Sequence, residues 1–262
     1  MEDEAYSVPG QYMFGDSLLV SPVSSAPHNN ITGIATKHVW LPTSSPWLQF
    51  VNGAQVTNAT VKSEWAPTEI PAFVRAGPAG ANLMPLRTMN STYTAFADPL
   101  VWVVWMAPNG DGSNVSYEMF EDAGDGLDYQ QVGNTAHAMT TAHVAHGGGS
   151  IGKAGGTTAT VVVGPSVGSF KGQGNSRRQL VQFRLGDAAD PQTVTVNGKA
   201  IPRLHTAPAF GSAVLGELEV GWFRAAQSEN GQDNYTQPVD ALVVAAGKRS
   251  IHQHLSVVVK WA

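Results

Sequence analysis

The chain contains no cysteine. That excludes disulfides, thiolate nucleophiles and thiolate metal ligands, and it fits a reducing compartment without requiring one. Charge is scarce as well: Asp, Glu, Lys and Arg make up 13% of the 262 residues, and the formal net charge is -5. With no basic footprint, no nucleic-acid partner is expected. No apolar run is long enough to cross a bilayer as a helix, so no membrane span is expected. The acidic start Met1-Glu-Asp-Glu is unlike a signal peptide, which is basic and then apolar. No stretch sustains a 3.6-residue apolar period over three turns, so helices should be few and short.

What the chain does have is apolar residues, 42% of the total, arranged with a period of two. Val181, Phe183 and Leu185 alternate with Gln182 and Arg184. Leu218, Val220 and Trp222 alternate with Glu217 and Glu219, and Val115, Tyr117 and Met119 with Ser116 and Glu118. Leu255, Val257, Val259 and Trp261 mark one face of the final strand. Successive strand side chains point to opposite sides, so this alternation predicts half-buried strands. Thr193–Val196, Asn197-Gly198 and Lys199–Ile201 predict a hairpin, since Asn-Gly supplies the positive φ angles of a two-residue turn. Leu100–Met106 is apolar on both faces, as in a strand covered on both sides, with Trp102 and Trp105 on opposite faces and in core. The 28 glycines and 16 prolines punctuate the whole length. Many short strands between turn signals predict an all-β chain of two β-sandwiches, with a boundary near Asn90–Asp98.

Several motifs invite chemistry. Gly164-Pro-Ser166-Val-Gly168 matches the G-x-S-x-G elbow, and Asp187, Asp190, Asp233, Asp240 and then His252 and His254 follow in hydrolase order. The elbow must open a helix, however, and Ser169-Phe-Lys-Gly-Gln-Gly breaks one, so a Gly-Pro turn is expected. Gly147–Ala154 falls one residue short of a phosphate-binding loop, lacking the Ser or Thr that would hold Mg²⁺. His143-x-x-His146 near His137, and His252-x-His254 on one strand face, could supply metal ligands, but exposed strand histidines are the expectation. The acidic turn Glu121–Asp128 lacks the spacing of a calcium loop and reads as a solvated turn. Glu118 and Glu121 should face opposite ways, about 10 Å apart at roughly 3.3 Å per residue. That is too far for two carboxyl groups to act as a close catalytic pair, about 5–5.5 Å apart. Five N-x-S/T sequons, at Asn30, Asn58, Asn90, Asn114 and Asn234, would be glycan acceptors if the chain enters the secretory route, which would make it a secretory or extracellular protein.

One segment is more specific. Gln11-Tyr-Met-Phe-Gly15 followed by Leu18-Leu-Val-Ser-Pro-Val23 resembles the Q-[FY]-M-[FW]-G and L-L-V-[AS]-P-V signature of glycoside hydrolase family 31, the α-glucosidase family. Its further landmarks follow in order. His38-Val-Trp-Leu-Pro42 is similar to a strand end of that family. Trp47-Leu-Gln-Phe-Val-Asn-Gly53 keeps the Trp and Gly of W-Y-D-F/Y-x-T-G and loses the acid. Ile70-Pro-Ala-Phe-Val-Arg-Ala-Gly77 matches I-P-x-F-V-R-x-G, and Glu121-Asp-Ala-Gly is similar to the acidic turn. The strong matches cover Gln11 to about Tyr129.

The resemblance implies a connector over residues 1–17, a proximal β-sandwich over 18–92 and a distal one over 93–262, behind a catalytic (β/α)8 barrel that this chain lacks. Both catalytic aspartates of the family lie in that barrel, upstream of the first residue here. No catalytic, cofactor-binding or metal-binding residue can therefore be assigned, and no cofactor is expected. The implied role is an accessory region of an α-glycosidase, inactive alone, whose partner is a catalytic barrel and which should expose an apolar patch where that barrel docks. The alternatives are a non-catalytic carbohydrate-binding module, drawing on seven Trp residues, and a serine hydrolase built on Ser166.

Overall fold

The computed structural model describes residues 3–28, 31–67, 70–77, 80–87, 96–107, 113–124, 126–127, 130, 136–148, 156–185, 189–204, 220–225 and 241–262. They form strands, one short 3-10 turn at Asp3–Ser7 and no α-helix. The chain is all-β, built as two β-sandwiches.

The first sandwich uses β1 (Tyr12–Phe14), β2 (Leu18–Val20), β3 (Ala35–Trp40), β4 (Trp47–Gln49), β5 (Gln55–Val56), β6 (Thr60–Trp65) and β7 (Ala72–Arg75). Five of these form a sheet in the order β1-β2-β7-β4-β5, and β3 pairs with β6 as a second sheet. Between them lie Leu19, Val39, Leu41, Trp47 and Phe73. Trp65 meets Phe73 edge-on, with ring centroids 6.4 Å apart.

The second sandwich uses β8 (Ala81–Arg87), β9 (Leu100–Met106), β10 (Asn114–Asp122), β11 (His137–Gly148), β12 (Thr157–Val163), β13 (Val167–Gly168), β14 (Ser176–Arg184), β15 (Thr193–Val196), β16 (Lys199–Ala200), β17 (Gly221–Ala225), β18 (Ala241–Ser250) and β19 (Leu255–Trp261). One sheet runs β17-β18-β14-β9-β8; the other runs β10-β11-β12-β19-β15-β16, with β13 beside β11. Trp102, Val104, Val181, Phe183, Val257, Val259 and Trp261 belong to the large core between them. Completely burying such side chains contributes about 1.5–3 kcal/mol each.

The expected hairpin is present, with Asn197 at φ 49° and Gly198 at φ 77°. Leu255, Val257, Val259 and Trp261 are buried, while the intervening residues are not. β9 is buried along its whole length, and Trp102 and Trp105 join different cores.

Two expectations need correction. β14 is not half-buried: Gln182 and Arg184 are 2% and 4% exposed. The reason is tertiary. β14 lies parallel to β9 in the middle of its sheet, and the first sandwich covers the face that carries these polar residues. Leu48, Val74 and Ala76 of the first sandwich share a core there with Val101, Val103, Trp105 and Leu180. The second correction concerns β8, which precedes the boundary expected at Asn90–Asp98. It pairs with β9 from Ala81↔Met106 to Arg87↔Leu100, so the change of sheet falls between Arg75 and Ala81. Of the alternation expected at Leu218–Trp222, Glu217, Leu218 and Glu219 lie outside the described residues; Val220 is exposed and Trp222 buried.

Candidate functional site

The segment that carries the resemblance is an anchored hairpin with an apolar outer strand. Gln11 ties it down at one end. Its Nε2 donates to the Trp40 carbonyl at 2.6 Å and its Oε1 accepts from the Trp40 amide at 3.0 Å. The carboxamide thus completes the β3 ladder as a neighbouring strand's peptide group would, linking the two sheets. β2 anchors the other side by pairing with β7, and Leu19 and Ser21 are buried. β1 is left at the sheet edge. Tyr12, Met13 and Phe14 are 50%, 42% and 65% exposed there, and Tyr6 just before them is 76% exposed. Consecutive exposed apolar residues on an edge strand are unusual in a finished surface and mark an interaction site. Beyond the hairpin, Pro22, Val23, Trp65, Pro67 and Ile70 line a pocket of about 280 Å³. It is small and brings no charged groups together.

The Trp47–Gly53 segment forms the joint between the sandwiches. Trp47 donates its indole N–H to the Pro42 carbonyl at 2.8 Å. The Phe50 carbonyl accepts from Trp105 Nε1 at 2.8 Å and also from Arg184. The Arg184 guanidinium lies 5.0 Å from the ring centroids of both Phe50 and Trp105. Burial pulls its pKa down to about 10, so it remains cationic at neutral pH, held by a carbonyl and two ring faces. Gly53 has a φ of +77°, and a Cβ there would stand 2.2 Å from the Arg184 carbonyl oxygen. Only glycine satisfies both constraints. Gln49 stands where the family pattern has its acid.

The catalytic-looking motifs do not assemble. Gly164–Ser166 connects β12 to β13, which pairs with β11 in place of starting a helix. The Ser166 amide donates to the Ile251 carbonyl at 2.7 Å, and its Oγ accepts from Gln173 Nε2 at 3.4 Å. Gly168 has a φ of +96°, and a Cβ there would stand 2.3 Å from the His137 carbonyl oxygen, so both features require glycine. Asp190 pairs with Arg203 and Arg224, while Asp187, Asp233 and Asp240 lie outside the described residues. In the phosphate-loop-like stretch Gly147 and Gly148 close β11; the remainder, residues 149–154, lies outside the described residues.

The histidines are dispersed. His143 is exposed and His146 wholly buried, on opposite faces of β11. His146 makes no hydrogen bond at either ring nitrogen, and burial holds its pKa below 6.5. His137 stacks on Phe120, centroids 5.3 Å apart. His252 and His254 do not share a strand face as expected; they are exposed in the turn between β18 and β19. That turn must reverse the chain, so these residues cannot extend either ladder. Among the described residues no group of three or more His, Asp or Glu could hold a metal ion.

The acidic turn needs a further correction. Glu118 is exposed, but Glu121 is 1% exposed and not solvated. Its two carboxylate oxygens accept from Arg177 Nη1 and Nη2 at 3.0 and 2.6 Å. Arg177 is 2% exposed and lies 4.1 Å above the Phe96 ring. The alternation along β10 turns Glu121 inward, and the pair bridges β10 to β14 of the opposite sheet. The turn itself follows, with the Gly124 amide capped by Asp122 Oδ1 at 2.9 Å. Asp125 and Asp128 lie outside the described residues. Arg177 and Arg184 carry no motif, and their only signal in the sequence is an arginine inside a strand.

Comparison with known proteins agrees with the hairpin and joint. Residues 1–79 match the glycosyl hydrolase family 31 C-terminal domain. No curated protein matches the chain in sequence. Among solved structures, the chain is similar to a family 31 dextranase of Flavobacterium johnsoniae in complex with glucose, at 16% identity and a TM-score of 0.64. The complex of a mutant of that dextranase with isomaltotriose gives 16% and 0.63. In each case 99% of this chain is covered and 28% of the other, so the chain spans 28% of the dextranase's length. A family 31 α-xylosidase from Xanthomonas citri matches at 24% identity and a TM-score of 0.47, over 69% of this chain and 17% of that one. At these identities the likeness to the dextranase is one of fold.

Proposed function

We propose that the chain is an accessory region of a family 31 α-glycosidase that packs against a catalytic barrel and turns over no glycoside by itself. The observation that carries this reading is the exposed apolar run Tyr6, Tyr12, Met13 and Phe14, inside the segment matched by the family's C-terminal domain. On this reading residues 1–17 connect to the barrel and the two sandwiches are the proximal and distal domains. The paired carboxyls of glycoside hydrolysis would come from the barrel. Within this chain Glu121 is neutralised by Arg177 and Glu118 faces outward, so these two do not form the close pair that a retaining mechanism needs.

The test is reconstitution. The purified chain should bind a family 31 barrel stripped of its own C-terminal sandwiches, forming a one-to-one complex by light scattering. Replacing Tyr12, Met13 and Phe14 together by Ser should abolish the complex while leaving the chain's thermal unfolding unchanged. Equal binding by that variant would overturn the assignment of the surface. Hydrolysis of a chromogenic α-glucoside by the chain alone, lost on one Asp or Glu substitution within it, would overturn the inactivity.

One observation favours the carbohydrate-binding reading as a second role. Phe120, 45% exposed and braced by His137, stands on the outer face of its sheet between Glu118 and Asp122. An aromatic face beside carboxylates can stack on a sugar ring and accept from its hydroxyls. Binding of α-gluco-oligosaccharides by titration calorimetry, lost in Phe120→Ala, would support it. Five of the seven Trp residues, Trp47, Trp102, Trp105, Trp222 and Trp261, are buried and supply no such platform.

A further inference from the structure

Five of the thirteen asparagines head an N-x-S/T sequon, whereas Ser and Thr together are 38 of the 262 residues. Chance placement would give roughly two sequons in such a chain. Two of the five fall on described residues, and the structure separates them from the asparagines that the fold uses. Asn52 Oδ1 accepts from the Ala54 amide at 2.9 Å. Asn82, 6% exposed, donates to the Arg75 carbonyl at 2.7 Å. Asn197 accepts from the Ser256 amide at 2.7 Å and donates to the His254 carbonyl at 3.5 Å. Each of these carboxamides is committed to a turn or a joint. Asn58 and Asn114 are exposed, and neither carboxamide makes a hydrogen bond among the described residues. The hydroxyl residues that complete their sequons, Thr60 and Ser116, are exposed too.

Among the described residues, both sites lie at sheet edges. Asn58 sits in the short link between β5, the last strand of the five-stranded sheet, and β6, which pairs with β3. Asn114 is the first residue of β10, the outermost strand of the large sheet, paired to β11 through Asn114↔Ala145. An open edge presents unpaired backbone N–H and C=O groups to other chains and invites edge-to-edge association, which bulky polar cover prevents.

We infer that Asn58 and Asn114 are N-glycosylation sites whose glycans shield the β5–β6 corner and the β10 edge. In the modification the Asn side-chain nitrogen bonds to the anomeric carbon of a lipid-linked oligosaccharide diphosphate. The anomeric C–O bond breaks, the lipid diphosphate leaves with the electron pair, and the amide gives up one proton. No oxidant or reductant is needed. Among the described residues neither carboxamide makes a hydrogen bond, so a glycan displaces none there.

The experiment passes the full 262-residue chain through the secretory pathway of a eukaryotic cell and maps glycopeptides by mass spectrometry. Peptide N-glycosidase in heavy-oxygen water should convert Asn58 and Asn114 to labelled Asp. Thr60→Ala and Ser116→Ala keep each asparagine but remove its sequon, and each should lose one glycan of mass while retaining the β-rich circular dichroism spectrum. Unmodified Asn58 or Asn114 peptides from chain recovered in the medium overturn the assignment at that site. Ser116→Ala should also form more oligomer on size exclusion than the glycosylated parent; an unchanged monomer fraction overturns the shielding role.

Discussion

The two sandwiches are stabilised by different means. The second has a broad core in which many buried aliphatic and aromatic side chains interlock between two large sheets. The first has a core of five buried residues and closes itself with directional contacts: Gln11 on the Trp40 backbone, Trp47 on the Pro42 carbonyl, and the Phe50 loop on Trp105 and Arg184. Burial is non-directional and accepts volume-conserving swaps. A hydrogen bond to one carbonyl, or a backbone passing 2.2 Å from where a Cβ would stand, does not. This is why a family pattern is readable through residue 79, while the rest of the chain is matched in fold alone.

If that contrast holds, the largest effect comes from the joint. Gly53→Val forces a β-branched residue into a left-handed conformation and against the Arg184 carbonyl, and should cost about 4 kcal/mol. In urea the single unfolding transition should split, with the first sandwich melting early. A single transition shifted by under about 1 kcal/mol would show the sandwiches to be independent of the joint. In the second sandwich the buried Glu121–Arg177 pair is a directional contact of comparable weight. Glu121→Ala leaves Arg177 buried and unpaired and should cost about 3 kcal/mol. Replacing both residues with apolar side chains of similar volume should restore most of the loss, confirming that burial can substitute there.

Gln11→Leu removes both bonds to Trp40 at a half-buried site and should cost about 1–2 kcal/mol, confined to the first sandwich. His146 gives a smaller, pH-dependent effect. Burial disfavours its charged form, so its folded pKa lies below the unfolded value near 6.5. Above that value it contributes nothing to the pH dependence. Below it the unfolded chain binds a proton that the folded chain refuses, and stability falls as pH falls. His146→Leu should flatten the stability profile between pH 6.5 and 5; an unchanged slope would place the acid sensitivity elsewhere. Asp98 cannot supply that slope. Its burial favours protonation, but the Arg178 hydrogen bonds and the Arg178 and Lys248 charges prevail and hold its pKa below 3.8. Its contribution is present above that value and lost only in stronger acid. The smallest effect belongs to Phe14→Ser, within about 0.5 kcal/mol, although it should reduce binding of a hydrophobic dye.

Much of the fold was legible because strand alternation and turn chemistry are local. Leu255–Trp261 and the Asn197-Gly198 hairpin needed no knowledge of what lay across the sheet. The failures share a cause. β14 reads as half-buried because Gln182 and Arg184 are polar, yet both are covered by the other sandwich. Glu121 reads as solvated because its neighbours are acidic, yet strand alternation points it at Arg177, far away in sequence. A local pattern tells which side of a strand a residue takes, and it cannot tell what covers that side.

By itself the sequence determined the all-β class, the positions of most strands, the absence of thiol chemistry and the resemblance of the first residues to family 31, since each follows from composition, periodicity or a short motif. Only the tertiary structure decided that β8 joins the second sheet, that Arg184 is buried against Phe50 and Trp105, and that Tyr12, Met13 and Phe14 are left uncovered. Those outcomes depend on which surfaces meet, and contact between residues distant in the chain is set by three-dimensional packing, which local sequence does not encode.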